Sequence, residues 1–214
     1  MARLLETTFI HGPAGRLEAL HEAPDDGQRV TRAAVICHPH PLYGGTMHNK
    51  VVFRLARSAR RAGAAVLRFN FRGVGQSAGA YDEGKGEQDD FRAMLTYMSE
   101  RYPGLPLMGG GFSFGSRVAL RVACGDARLE RCIAAGAPVN SGDWSFLNHC
   151  GCPKFFLHST NDIHGARSKM ETVLATAAEP KRIAWIEAAD HFFVNALDEF
   201  EEQAFLAWSA RPGE

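Results

Sequence analysis

The chain has 214 residues, 45% of them hydrophobic and 22% charged, a balance that fits one soluble domain with a sizeable core. Lys plus Arg number 24 and Asp plus Glu number 24, so the formal net charge is zero. That balance argues against binding to nucleic acid or to an anionic membrane surface, and no run approaches the ~20 apolar residues that span a bilayer.

MARLLETTFIHGPAG reaches a Gly/Pro turn by Gly12 without a long apolar run, so it reads as a strand and not as a secretory leader. Residues 3–10 and 16–22 flank HGPAG as a hairpin. AAVICHP, residues 33–39, is a continuous apolar run ended by proline, as in a buried strand. Across 49–62, Val52, Leu55, Ala56 and Ala59 fall at helical spacing, and Gly63 stops the pattern. AAVLRFNF, residues 64–71, is the next strand. Phe91, Met94, Leu95 and Met98 then recur at i, i+3, i+4 and i+7, a helix that Pro103 ends.

Strand 105–112 and helix 114–124 follow, then strand 131–136. Strand 153–159, helix 166–178, strand 181–187 and helix 195–209 complete the alternation. This order predicts an α/β fold: a mostly parallel sheet with helices on both faces and the opening hairpin as an antiparallel edge. No repeat or low-complexity linker interrupts it, so residues 1–214 read as a single domain. Only residues 139–152 separate Pro138 from Pro153, too few for a cap domain.

The five cysteines are an odd number, and Cys37, Cys124 and Cys132 lie in apolar runs that read as core. A reducing, cytoplasmic setting is therefore expected. His149-Cys150-Gly151-Cys152 has no second Cys/His pair at zinc-finger spacing, so loop or buried thiols are expected there, with no metal.

Sheets of this kind bind ligands at the carboxyl ends of their strands. Ser113 falls at such an end, in Gly111-Phe112-Ser113-Phe114-Gly115, between an apolar strand and a helix. Glycines two residues to either side let strand and helix approach while a strained serine lifts its hydroxyl clear. Asp162 follows KFFLHST, and His191 follows RIAWIEAAD. Taken singly, Asp162 has a second reading as a cap of the following helix, and His191 as a core histidine beside Phe192 and Phe193. Together, in the chain order Ser, Asp, His, they read as nucleophile, orienting acid and base. Asp190, His158 and His164 are less well placed: a neighbour's side chain points away, one histidine lies within a strand, and the other sits on the helix side.

An oxyanion hole needs two N–H groups. Phe114 offers one. The loop HPHPLYGGTMHN offers the other from His40, Leu42 or Tyr43, because Pro39 and Pro41 have none; His40 comes first and Leu42 second. The imidazoles of His38 and His40 read as loop scaffold. FNFRGVGQSAG spaces its glycines G-x-G-x-x-x-G, out of step with a dinucleotide fingerprint, and an acidic segment follows. It reads as a tight turn, and no cofactor is expected. Tyr43, Trp144, Phe146 and Phe193 are candidate apolar walls for a small acyl substrate.

CHPHPLYGGTMHNKVV, LRFNFRGVGQSAGAYDEGKGEQDD and GGFSFGSRVAL together resemble the small bacterial α/β-hydrolases of the dienelactone-hydrolase-like group, described as predicted hydrolases or carboxylesterases. The resemblance runs from about Val35 onward. It implies a lidless α/β-hydrolase fold without a cofactor and a triad on Ser113, Asp162 and His191. The group's His-Gly-X oxyanion signature stands here as His38-Pro39-His40, in support of His40. Dienelactone hydrolases proper carry cysteine where this chain has Ser113, so their lactone substrate does not transfer. A carboxylesterase for short-chain esters is the leading expectation. A thioesterase or peptidase with the same triad, and a non-catalytic binding module, are the alternatives.

Overall fold

The computed structural model describes residues 5–24 and 28–210, so Arg3, at the start of the expected first strand, lies outside the described residues. β1 (Leu5–Gly12) and β2 (Gly15–Glu22) pair antiparallel with Gly12 opposite Gly15. Only Pro13 and Ala14 separate them, so the turn is tighter than HGPAG suggested. Gly15, at φ +112°, occupies backbone space open to glycine.

β3 (Arg32–Cys37), β4 (Ala64–Phe69), β5 (Leu107–Phe112), β6 (Leu129–Ala135), β7 (Lys154–Ser159) and β8 (Lys181–Ile186) form the parallel body. The spatial order is β1-β2-β4-β3-β5-β6-β7-β8, with β2 antiparallel to β4. The central strands are covered on both faces, which is why they read as unbroken apolar runs. Ala34 and Ile36 of β3 face one core layer; Ala33, Val35 and Cys37 face the other. α1 (Lys50–Arg61) and α5 (Leu197–Ser209) pack over the first layer, and α2 (Lys85–Arg101) and α3 (Phe114–Ala123) over the second. α4 (Arg167–Thr176) joins β7 to β8 and sends Met170 into the second layer.

The chain leaves β3 toward β4 on one side and later returns to build β5 on the other. The carboxyl ends of β3 and β5 therefore border the point where strand order reverses, the place in such sheets where ligands sit.

β5 is nearly bare at its centre, Gly109-Gly110-Gly111. A Cβ on Gly109 would lie 2.9 Å from the Phe91 ring of α2, and one on Gly110 would lie 3.2 Å from the Trp208 indole of α5. Missing side chains let large rings from both faces settle onto the strand.

Two cysteine expectations are corrected: Cys124, read as a core thiol, and Cys150, read as a loop or buried thiol, are joined in a disulfide with Cα atoms 4.6 Å apart. The end of α3 and the segment after β6 converge there across a sequence separation of 26, which the local apolar pattern does not reveal. Cys37 and Cys132 are buried thiols, and burial raises the pKa of both. Among the described residues no cluster of three or more His, Cys, Asp or Glu could hold a metal, and no helix is long and apolar enough to cross a membrane.

Trp208 is fully buried, and its indole N–H donates to the Leu55 carbonyl at 3.2 Å. Trp208→Ala should cost about 3–5 kcal/mol, because the glycine strand beneath cannot refill the cavity; urea unfolding measures it.

Candidate active site

Ser113 sits where β5 turns into α3, at φ +55° and ψ −122°. Its N–H donates to the Ala135 carbonyl at 2.9 Å, which ties the strained residue to β6. A Cβ on Gly111 would collide with the Gly115 carbonyl, and one on Gly115 with the carbonyls of Cys37 and His38. The flanking glycines thus permit two backbone contacts, strand to helix and helix to the loop after β3.

His191 lies on the loop after β8, and Asp162 on the loop after β7. His191 Nε2 is 2.9 Å from Ser113 Oγ, and Nδ1 is 2.7 Å from Asp162 Oδ2. Three residues remote in sequence meet in one hydrogen-bonded relay. With Nδ1–H donating to the carboxylate, Nε2 is left to accept the serine proton. Asp162 Oδ1 also accepts from the His164 and Gly165 N–H groups at 2.8 and 3.0 Å, closing a turn ahead of α4. The helix-cap reading is corrected: α4 starts at Arg167 with Ala166 as its N-cap, which makes no side-chain cap hydrogen bond. Burial pushes the Asp162 carboxyl up, but the His191 hydrogen bond, the nearby imidazoles and the His164 N–H outweigh it. The group is held below the usual carboxylate range.

The neighbouring candidates take supporting places. His158 lies in β7 behind Asp162, with Nε2 2.6 Å from the Gly165 carbonyl and 3.7 Å from Asp162 Oδ2. The His164 ring meets the His191 ring edge-on at 4.7 Å. Asp190 turns away, accepting from the Phe192 and Val194 N–H groups and shaping the loop that carries His191. Gly136, which the sequence did not single out, has φ +53°, and a Cβ there would press within 3.0 Å of the His191 ring.

In the loop after β3, the Leu42 N–H donates to His40 Nδ1 at 3.3 Å and the Tyr43 N–H to the His40 carbonyl at 3.1 Å. Leu42, a second candidate oxyanion donor, is therefore already engaged. The N–H groups of His40 and Phe114 have no hydrogen-bond partner among the described residues. His38 is scaffold: it is fully buried, Nε2 accepts from the Phe71 N–H at 3.0 Å, and Nδ1 donates to the Pro39 carbonyl at 2.6 Å.

FNFRGVGQSAGAYDEGKGEQDD builds the opposite wall. Arg72 pairs with buried Asp90 through Nε and Nη2, while Glu87 accepts from the Asp82 and Gly84 N–H groups. These contacts hold Tyr81 against His40, hydroxyl to Nε2 at 3.2 Å. The acidic run anchors a turn, which is its structural work here.

A cavity of about 490 Å³ opens over Ser113 and His191, walled by His40, Tyr43, Tyr81, Phe114, Phe192 and Arg117 among others. Three expected walls are corrected. Phe193 is fully buried against Phe112 and Phe200, because residues 192 and 193 point to opposite sides of the loop; Phe192, 40% exposed, lines the cavity instead. Trp144 and Phe146 pack together behind α3, under Arg117 and Arg121, and do not reach the cavity. Tyr43 does line it. Tyr81, Phe192 and Arg117 were missed; the only available signal for Arg117 was its place one helical turn after Ser113.

An α/β sheet with a serine at a strand–helix elbow, hydrogen-bonded through histidine to aspartate, has the architecture of an α/β-hydrolase. Residues 33–207 match the alpha/beta hydrolase domain model, and the chain belongs to that family. It is 34% identical over 203 residues to an uncharacterised protein of Rickettsia prowazekii, covering 91% of this chain and 84% of that protein. An α/β serine hydrolase without lid from Xanthomonas campestris superimposes with TM-score 0.88 at 32% identity, over 95% of this chain and 93% of that one. An α/β serine hydrolase homologue from Coxiella burnetii gives 0.89 at 33% identity, over 94% and 96%.

Burial pushes the His38 imidazole down to about 4, although the Pro39 carbonyl opposes this. A folded value below the unfolded ~6.5 means its stabilisation is full above ~6.5 and is lost as pH falls toward about 4. Between about pH 7 and about pH 5 the unfolding free energy should drop by roughly 2 kcal/mol more in wild type than in His38→Gln, read from urea melts.

Proposed function

We propose that the protein is a serine carboxylesterase acting on small, short-chain acyl esters. The observation that carries this reading is the continuous relay from Asp162 through His191 to Ser113, 2.7 and 2.9 Å long, at the mouth of an open cavity. In this mechanism His191 Nε2 takes the proton as Ser113 Oγ attacks the ester carbonyl. The carbonyl oxygen becomes an oxyanion facing the unpaired N–H groups of Phe114, at the start of α3, and His40. Protonated His191, held by the ionised Asp162, returns its proton to the leaving alcohol. Water then attacks the acyl-enzyme carbonyl as His191 Nε2 takes its proton, and that proton passes to Ser113 Oγ as the acyl–oxygen bond breaks and the acid leaves.

The short segment between β6 and β7 supports a preference for small substrates. It holds a 3-10 turn at Ser145–His149 and no cap domain, so the cavity offers aromatic walls without an enclosing lid. The Xanthomonas relative, a serine hydrolase without lid, supports the same reading.

Ser113→Ala should lower turnover of p-nitrophenyl acetate by at least about a thousandfold and abolish labelling by a fluorophosphonate probe. Asp162→Asn should cost on the order of 10⁴ in kcat by permitting the wrong imidazole tautomer. Equal turnover by wild type and Ser113→Ala would instead indicate a binding module that retains the elbow. Matched ester, thioester and amide substrates rank the three acyl chemistries.

A further inference from the structure

The cavity holds a cation for which ester hydrolysis itself has no use. Arg117 lies four residues beyond Ser113 on α3, one turn or about 6 Å along the helix axis, and lines the same cavity. Its guanidinium is seated. The ring centre of Trp144 lies 5.6 Å below it, and Gly142, at φ +75°, makes room: a Cβ there would collide with the guanidinium. A flexible surface arginine needs no such seat.

Its donors are largely unused. Nη2 donates to the Asp143 carbonyl at 3.3 Å, a bond shared with Arg121, and Nε is buried without a partner. Nη1 makes no hydrogen bond, and the guanidinium forms no ion pair, among the described residues. The adjoining groove adds Lys85 and Arg121, against one exposed carboxylate, Glu83. Burial and Arg121 disfavour the charge on Arg117 by more than the nearby Asp143 carboxylate favours it, so an arriving anion would relieve a cost already present in the fold.

We propose that the substrate is an ester bearing a carboxylate, and that Arg117 binds this carboxylate while Ser113 attacks the ester carbonyl. The planar fork matches carboxylate geometry, and one guanidinium with Glu83 at the rim suits a monoanion better than a doubly charged phosphate. The inference rests on the esterase reading for its chemistry and on Arg117 alone for its specificity.

The test compares pairs of equal carbon-chain length, one member ending in a carboxylate and the other in a methyl group. Ethyl hydrogen adipate against ethyl hexanoate places the charge on the acyl side, and 4-acetoxybutanoate against butyl acetate places it on the leaving alcohol. Wild type should favour the anionic member of at least one pair by roughly ten- to a hundredfold in kcat/KM. The pair that shows the preference identifies the side. Arg117→Gln should bring that ratio to near one, and Arg117→Lys should restore part of it. A wild-type ratio near one in both pairs, or a preference unchanged in Arg117→Gln, overturns the proposal and leaves the esterase reading standing. A calorimetric arm separates the two: Ser113→Ala protein should bind at least one of the two anionic esters roughly tenfold or more tighter than Ser113→Ala/Arg117→Gln protein. If no ester is turned over and this difference persists, the esterase reading fails and the anion site remains; if esters are hydrolysed and the difference is absent, the anion site fails.

Discussion

The site depends on one close approach, the backbone of α3 at Gly115 against the carbonyls of Cys37 and His38. A side chain at Gly115 would push the helix off the end of β3. The Phe114 N–H and the loop carrying His40 would then separate, and the contact of the His40 and Phe114 rings, 4.9 Å apart, would be strained with them. The second approach, Gly111 against the Gly115 carbonyl, sets how sharply the chain turns at Ser113. Its strained backbone is held because neighbours on both sides leave it nowhere to relax. Packing therefore comes before chemistry here: the hydroxyl is placed by what the glycines lack.

The polar part of the site follows a similar economy of contacts. Asp162 divides its oxygens between a backbone turn and an imidazole, so the loop that orients it and the base it orients are fixed by one side chain. His38 joins the loop after β3 to the loop after β4 through the Phe71 N–H, and it does so only as a neutral ring. Asn70 links the same region further, accepting from the Met47 N–H and donating to Glu18. Buried polar groups of this kind are costly when unmade, and here they replace side-chain bulk as the means of holding loops in register.

The parallel sheet, its helices and the Ser–Asp–His order were legible because each has a local signature. β3 and β4 are apolar on both faces, Phe91 to Met98 keep helical spacing, and the elbow glycines flank a single serine. What was not legible depends on orientation or on long-range closure. Phe192 and Phe193 are adjacent and chemically identical, and only the turn set by Asp190 decides which one faces the cavity. Trp144 and Phe146 look like pocket aromatics by composition but lie behind α3, stacked with arginines. Cys124 reads as part of an apolar run and Cys150 as part of the His149–Cys152 loop until the helix end and the distant segment are brought together. The three candidate N–H donors of the His40 loop were separable only by seeing which ones its own turn consumes.

The segment between β6 and β7 shows how a lidless member of this fold can still shape its site. Gly136 at its start leaves space for the His191 ring, and Gly142 in its middle leaves space for the Arg117 guanidinium. Trp144 backs that guanidinium, and Cys150 near its end is covalently tied to the end of α3. The segment is thus attached to α3 at one end, where the helix finishes, and abuts the base of the relay at the other, where the helix begins. A stretch too short to cover the cavity instead sets the position of two of its side chains from behind. Under the proposed esterase reading, a wall that positions the His191 ring and the Arg117 guanidinium from behind would supply specificity without enclosure.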